Sequence, residues 1–211
     1  MINFIISIDD STRFLFSIIE IVKSKGVDVK VFEIHPNEDS YKKQFDEISV
    51  IDKNSTIVFL GHGQNDRLYG GEDPNVFEKK AFVALRHMNI FQQQCLFLLA
   101  CDSAELIKSS FRMSKTNKSI GFGGLPTSPK EIENDRKFAN EGISVETIEE
   151  FKSEIVNTTA LSLVEFYTDF NSLKDYLILL LDKRINNAVL IKKNTHLAEL
   201  LFKMRNELVL Y

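Results

Sequence analysis

The chain opens on an apolar run, Ile2 to Ile8, broken only by Asn3 and Ser7 and stopped by Asp9-Asp10. A short apolar run bounded by polar turn formers predicts a strand buried on both faces, as in a parallel sheet. Ser11 is then placed to cap a helix whose apolar positions Phe14, Ile18, Ile21 and Val22 recur at helical spacing until Gly26 ends it. Val27, Val29 and Val31 alternate through a second strand ending near His35-Pro36, and Tyr41 to Ile48 predicts a second helix. Asp52-Lys53-Asn54-Ser55 turns into a third strand that runs into Gly61-His62-Gly63. A polar, glycine-bearing loop from Gln64 to Asn75, a helix over Phe77 to Met88 and a fourth strand, Leu96 to Ala100, come next. Cys101 follows that strand, at the start of a helix over Ser103 to Phe111. Ser119 to Gly123 makes a fifth strand that opens into Gly123-Gly124-Leu125-Pro126. Strands alternating with helices predict an α/β fold with a mostly parallel sheet covered by helices on both faces.

The last third changes in kind. Ile148, Phe151 and Ile155, then Leu177, Leu181 and Ile185, and finally Leu197, Leu200, Leu201 and Met204 keep a helical period, with Asn171-Ser172 and Asn194-Thr195 as break points. The chain thus divides into an α/β core over residues 1–143 and a helical portion over 144–211, packed on the core or completing the same domain. No repeat or low-complexity tract is present.

Composition narrows the function classes. A formal charge of −4 in 211 residues gives no global basic field, so nucleic acid and anionic membrane are not expected partners. The amino terminus lacks the basic segment of a signal peptide, and the apolar run from Tyr176 to Leu181 is too short to span a bilayer. With two cysteines a disulfide framework is not expected, and a reducing cytoplasm fits.

Two apolar runs each end on one chemically competent side chain, His62 and Cys101. Ligands of open α/β sheets sit beyond the carboxyl ends of the strands. If the two strands are neighbours, histidine and thiol face each other as a nucleophilic dyad. A helix N-terminus after Cys101 would lower the thiol pKa and offer backbone N–H groups to an oxyanion. Competing chemistries fail on spacing. Position 107 is Ile107, where a phosphatase loop needs arginine, and Gly121-Phe122-Gly123-Gly124 lacks the lysine of a phosphate-binding loop. No Gly-x-Ser-x-Gly elbow occurs, and the four histidines are scattered, so neither a metal nor any other cofactor is expected. His35, His87 and His196 read as ordinary surface or core residues, and Cys95 as a small buried hydrophobe.

Val58-Phe59-Leu60-Gly61-His62-Gly63 and Leu98-Leu99-Ala100-Cys101-Asp102-Ser103 together resemble the histidine and cysteine boxes of the caspase-like (clan CD) cysteine peptidases, and within them the bacterial CHAT branch. The histidine stands 39 positions before the cysteine, comparable with the ~50 of the caspase signature. The resemblance covers residues 1–128 and implies a caspase-like three-layer α/β/α fold. It also implies Cys101 as nucleophile, His62 as base, and the N–H groups of Gly63 and Cys101 as oxyanion hole. Leu99 and the segment Phe122, Gly123, Gly124 and Leu125 would then form the substrate cleft. A bacterial antiviral-defence or cell-death peptidase that cleaves a specific protein, switched on by an activating partner, is the further implication. This sequence departs from the family in two places. Ala104-Glu105 stands where a glycine often follows the cysteine box, and Leu99 where relatives specific for basic residues carry an acid. The latter predicts a neutral pocket, with Asp66, Asp73 and Asp102 as the other carboxylates in reach. No third catalytic residue is assignable. A catalytically silent scaffold and a ligand-binding α/β module are the alternatives, and the presence of both His62 and Cys101 argues against the scaffold.

Overall fold

The computed structural model describes residues 1–211. In chain order, β1 (Ile2–Ser7) leads through a 3-10 turn (Arg13–Leu15) into α1 (Phe16–Ser24), then β2 (Val29–Ile34), α2 (Glu38–Ser49) and β3 (Thr56–Leu60). The short strands β4 (Gly63–Gln64), β5 (Arg67–Tyr69) and β6 (Ala81–Ala84) follow, then a 3-10 segment (Leu85–Phe91), β7 (Cys95–Leu99), α3 (Ser103–Ser114) and β8 (Lys118–Gly121). The chain closes with α4 (Pro129–Asn134), α5 (Val145–Phe166), α6 (Phe170–Asn187), a π-helical turn (Ala188–Lys192), α7 (Thr195–Asn206) and β9 (Val209–Leu210).

The main sheet has the order β2-β1-β3-β7-β8-β9. Every pairing in it is parallel except β8 with β9. The burial pattern explains why the apolar runs are continuous, since β1, β3 and β7 are covered on both sides. Ile2, Phe4, Ile6, Val58, Leu60, Phe97 and Leu99 enter one core with residues of α1, α5, α6 and α7. Ile5, Ile57, Phe59, Leu96 and Leu98 enter the opposite core with α2, α3 and the segment 85–91. The helices of the last third thus form the outer layer on one face, and β9 extends the sheet itself. No helix is long and apolar enough to cross a membrane.

Several local expectations are corrected. Ser11 does not cap the first helix. Asp9 Oδ1 instead accepts the N–H groups of Ser11 and Thr12, at 2.9 and 3.1 Å. The segment 64–75 is not a plain loop, because β4 and β5 pair antiparallel within it and β6 joins them. The helix expected over 77–88 is replaced by that strand, whose Phe82 and Val83 are buried in the core that includes α2, and by the start of a 3-10 turn. The turn buries Met88 and Phe91, three apart, which mimics helical spacing. The break before α6 is capped by Asp169, which accepts from Asn171 and Ser172, rather than lying at Asn171-Ser172. Asn194 caps α7 at the expected position.

Candidate functional site

The sheet register brings His62 and Cys101 together. β3 and β7 are adjacent and parallel, with Leu60 paired to Leu99, and each functional side chain lies two residues beyond that pair. Side chains of a strand alternate faces with period two. His62 and Cys101 therefore continue the face of Leu60 and Leu99, toward α1 and α5. Both line a narrow cleft of about 30 Å³ with Ser11, Leu99, Thr127 and Glu131, room for about two waters. Two glycines make the close approach possible. A Cβ on Gly61 would stand 2.3 Å from Ser7 Oγ, and one on Gly63 would stand 2.7 Å from the Cys101 carbonyl oxygen.

On the histidine side the partners come from the end of β1. His62 Nε2 lies 2.9 Å from Ser11 Oγ and 3.3 Å from Asp9 Oδ2, with the two ring and carboxylate side chains 16% and 4% exposed. Burial pushes the Asp9 carboxyl up, but hydrogen bonds from His62, Ser11 and Thr12 outweigh it and hold the group below its ordinary value. Neither was named from the sequence as a partner of His62. The signal was present in the sequence: Asp9 follows an apolar strand at the same sheet edge that delivers His62.

On the cysteine side the contacts are made by backbone. Leu125 N–H reaches Cys101 Sγ at 3.4 Å, and the thiol in turn lies 3.5 Å from Leu125 O. No hydrogen bond joins Cys101 to His62. Burial pushes the thiol up to about 12, only partly offset by the Leu125 contact, and Glu131 and Asp102 push the same way. This corrects the expectation of a thiol made acidic by the helix that follows. The first N–H groups of α3 are already taken, Ser103 and Ala104 donating to the carbonyls of Ala100 and Phe122. The thiol is therefore held protonated at neutral pH. Cys95 is likewise raised by burial.

The turn after Cys101 is built without the expected glycine. Asp102 itself takes the left-handed conformation, with φ 54°, which Asp tolerates better than most residues. Ser103 is fully buried and stitches the strand ends together, donating to Leu98 O and accepting from Phe122 N, both at 2.9 Å. The Cys101 N–H donates to no acceptor in the chain. Tyr69 N–H donates to His62 O at 3.0 Å, so the next pair, Gly63 with Leu68, is the non-hydrogen-bonded one and the Gly63 N–H points away from β5. Both groups named for an oxyanion hole are thus left without a ladder partner.

The residues named for the substrate cleft separate into two sets. Phe122 is fully buried and packs edge-on against Phe97, and Leu99 is 2% exposed, so neither side chain faces an open surface. Leu99 lines the narrow cleft that also holds His62 and Cys101. Gly123, Gly124 and Leu125 do line an open groove of about 730 Å³ that also contains Gly63, Cys101, Asp102, Asp135, Lys203 and Glu207. Of the three carboxylates in reach only Asp102 lies there, because Asp66 is held by Arg67 and Asp73 caps its own turn at Asn75. The floor of this groove is pinned by α7. Glu207 Oε2 accepts Gly124 N–H at 3.1 Å, and Lys203 Nζ bridges Glu207 and Asp135 at 2.8 and 3.6 Å.

Elsewhere, His35 pairs with Glu33 at the surface and His87 stacks near Phe45. No three His, Cys, Asp or Glu side chains converge as a set of metal ligands. No protein-family model, curated protein or solved structure matches the chain.

Proposed function

We propose that the protein is a cysteine endopeptidase of caspase-like, CHAT-related type, with Cys101 as nucleophile and His62 as general base. The observation that carries this reading is the convergence of the two side chains on one cleft from paired strand ends, beside two unsatisfied backbone N–H groups. In the acylation step the thiol proton passes to the imidazole, sulfur bonds to the peptide carbonyl carbon, and the oxyanion is held by the N–H groups of Gly63 and Cys101. The imidazolium returns the proton to the leaving amine as the C–N bond breaks. Water then gives a proton to His62 and attacks the thioester, and the C–S bond breaks to restore the thiol.

The conformation described is a resting one. Leu125 occupies both hydrogen-bonding directions of the sulfur, and a substrate needs the segment 123–127 to move aside. Glu207 and Lys203 hold that segment, so an activating partner that shifts α7 would free the thiol. On the resemblance, the enzyme acts on one specific protein in a bacterial antiviral-defence or cell-death pathway, within the cytoplasm. The raised thiol pKa and the absence of a hydrogen bond between Cys101 and His62 favour a second reading, a silent caspase-like scaffold that binds proteins through the same groove.

A library of peptide acyloxymethyl ketones, varied at the residue before the warhead, separates the two. A peptidase acquires a thioether adduct at Cys101, located by mass spectrometry, and the His62→Ala variant does so at least about 100-fold more slowly. Absence of any adduct at Cys101 across the library rejects the peptidase and leaves the scaffold.

A further inference from the structure

The contacts around His62 specify which of its nitrogens is free to act. Asp9 Oδ1 accepts from the N–H groups of Ser11 and Thr12 and from Ser11 Oγ at 2.5 Å, and it also lies 3.4 Å from His62 Nε2. A carboxylate is an acceptor only, and a hydroxyl has one proton to give. The Ser11 proton therefore goes to Asp9, and toward His62 Nε2, 2.9 Å away, the hydroxyl can only accept. The second carboxylate oxygen points the same way. Asp9 Oδ2 is buried without a hydrogen-bond partner, and the same Nε2 lies 3.3 Å from it. A buried carboxylate is costly without donors, and a proton on Nε2 comes within reach of both its oxygens. The polar atoms set against Nε2, Ser11 Oγ and the two Asp9 oxygens, are thus all acceptors toward it.

We propose that Asp9 and Ser11 are positioning residues that hold neutral His62 as the Nε2–H tautomer, which leaves Nδ1 as the nitrogen that takes the proton from Cys101. The assignment rests on the peptidase reading for its use and on hydrogen-bond chemistry for its content. In the acylation step Nδ1 accepts the thiol proton while Nε2–H stays on Asp9 and Ser11, and the resulting imidazolium donates from both nitrogens. The carboxylate beside it stabilises that cation, and Nδ1 then passes its proton to the leaving amine. A neutral imidazole carries one N–H, so the opposite tautomer has no lone pair on Nδ1 and takes no proton there.

The test needs no substrate. Protein labelled with ¹⁵N-histidine is examined by long-range ¹H–¹⁵N correlation spectra over a pH series, and the tautomer is read where the two ring ¹⁵N shifts show the ring to be neutral. Wild type is expected to show His62 as Nε2–H, with a directly visible, slowly exchanging Nε2 proton. In Asp9→Asn the Ser11 and Thr12 N–H groups keep the amide oxygen at the Oδ1 position and turn the NH₂ toward Nε2, so the tautomer inverts to Nδ1–H. Ser11→Ala leaves Asp9 in place and keeps Nε2–H. An Nδ1–H tautomer in wild type, or no inversion in Asp9→Asn with folding verified by circular dichroism, overturns the proposal. Where Asp9→Asn does not fold, the Nε2 proton decides, since one that exchanges as fast in wild type as in free histidine overturns it too.

The ketone adduct separates this from the function. Cys101 labelling in Asp9→Asn is expected to fall about 10²- to 10⁴-fold. An inverted tautomer with no wild-type adduct leaves the positioning intact and rejects the peptidase. An adduct in wild type with an unchanged tautomer in Asp9→Asn does the reverse.

Discussion

His62 and Cys101 leave neighbouring strands at the same height of one sheet, yet their surroundings are opposite in kind. The histidine meets side chains, a carboxylate and a hydroxyl that suit a ring about to gain a proton. The thiol meets backbone, from a segment that crosses the sheet edge, and burial there raises the cost of losing a proton even though the Leu125 contact partly offsets it. On the peptidase reading, the base is thus prepared in the resting fold, whereas the nucleophile is stored. The difference follows from what holds each group. Asp9 and Ser11 sit directly after β1, which is paired to β3 in fixed register. Leu125 is placed by contacts to α7, 83 positions away at the Glu207–Gly124 hydrogen bond.

The strongest way to break this contrast is to remove the prepared partner. His62→Ala should cost at least about 100-fold in adduct formation at Cys101 and leave the slow, pH-driven alkylation of Cys95 unchanged. The next is to release the stored one. Glu207→Ala deletes the acceptor of Gly124 N–H and the partner of Lys203, and iodoacetamide alkylation of Cys101 at pH 8 should rise about tenfold, a factor worth ~1.4 kcal/mol of cover, within the range for charged hydrogen bonds. An unchanged rate would show that the cover of the thiol does not depend on α7.

Gly63→Ala presses a Cβ onto the Cys101 carbonyl and to 3.0 Å from Ala100 Cβ. Backbone on one side cannot yield as a side chain would, so urea unfolding should report a loss of about 1–3 kcal/mol. The stored thiol also has a pH signature. Its pKa in the fold is raised, to about 12 from an ordinary 9.0, so the neutral form is the one that folding favours. Its contribution is fully present below about pH 9 and is lost as pH rises toward 12, because the unfolded chain releases the proton first. Wild type minus Cys101→Ser stability should therefore be flat to about pH 9 and decline above it. The smallest effect is expected at Asp102→Gly, which relieves the left-handed residue after the nucleophile and should add at most about 1 kcal/mol, offset in part by the unfolded-state entropy of glycine.

The sequence was most legible where one physical cause acts alone. β1, β3, β7 and the positions of His62 and Cys101 could be read because burial on both faces demands continuous apolar runs. β4 and β5 are two and three residues long and take their order from pairing with one another and with β6, which leaves no run to recognise. The last strand, Val209–Leu210, is equally short and exists because Tyr211 and Ser119 exchange backbone hydrogen bonds at 2.8 and 2.9 Å. Asp9 was visible only as the end of an apolar stretch. Its role emerges from the β1–β3 register together with a bend that brings Ser11 back over the ring. The inward turn of Phe122 was hidden for a similar reason, since an aromatic residue before a glycine pair can face a groove or a core, and only its contact with Phe97 decides.

The strand β9 and the helix before it also set an order of events in synthesis. Residues 203–211 supply the Lys203–Glu207 clamp and the ladder to β8, so the cover over Cys101 is locked only after this segment has left the ribosome. By then β1, β3 and β7, with Asp9, His62 and Cys101 at their ends, have already emerged. A nascent chain passes through an interval in which the thiol has been made and its clamp has not, and residues 203–211 are the ones that end it.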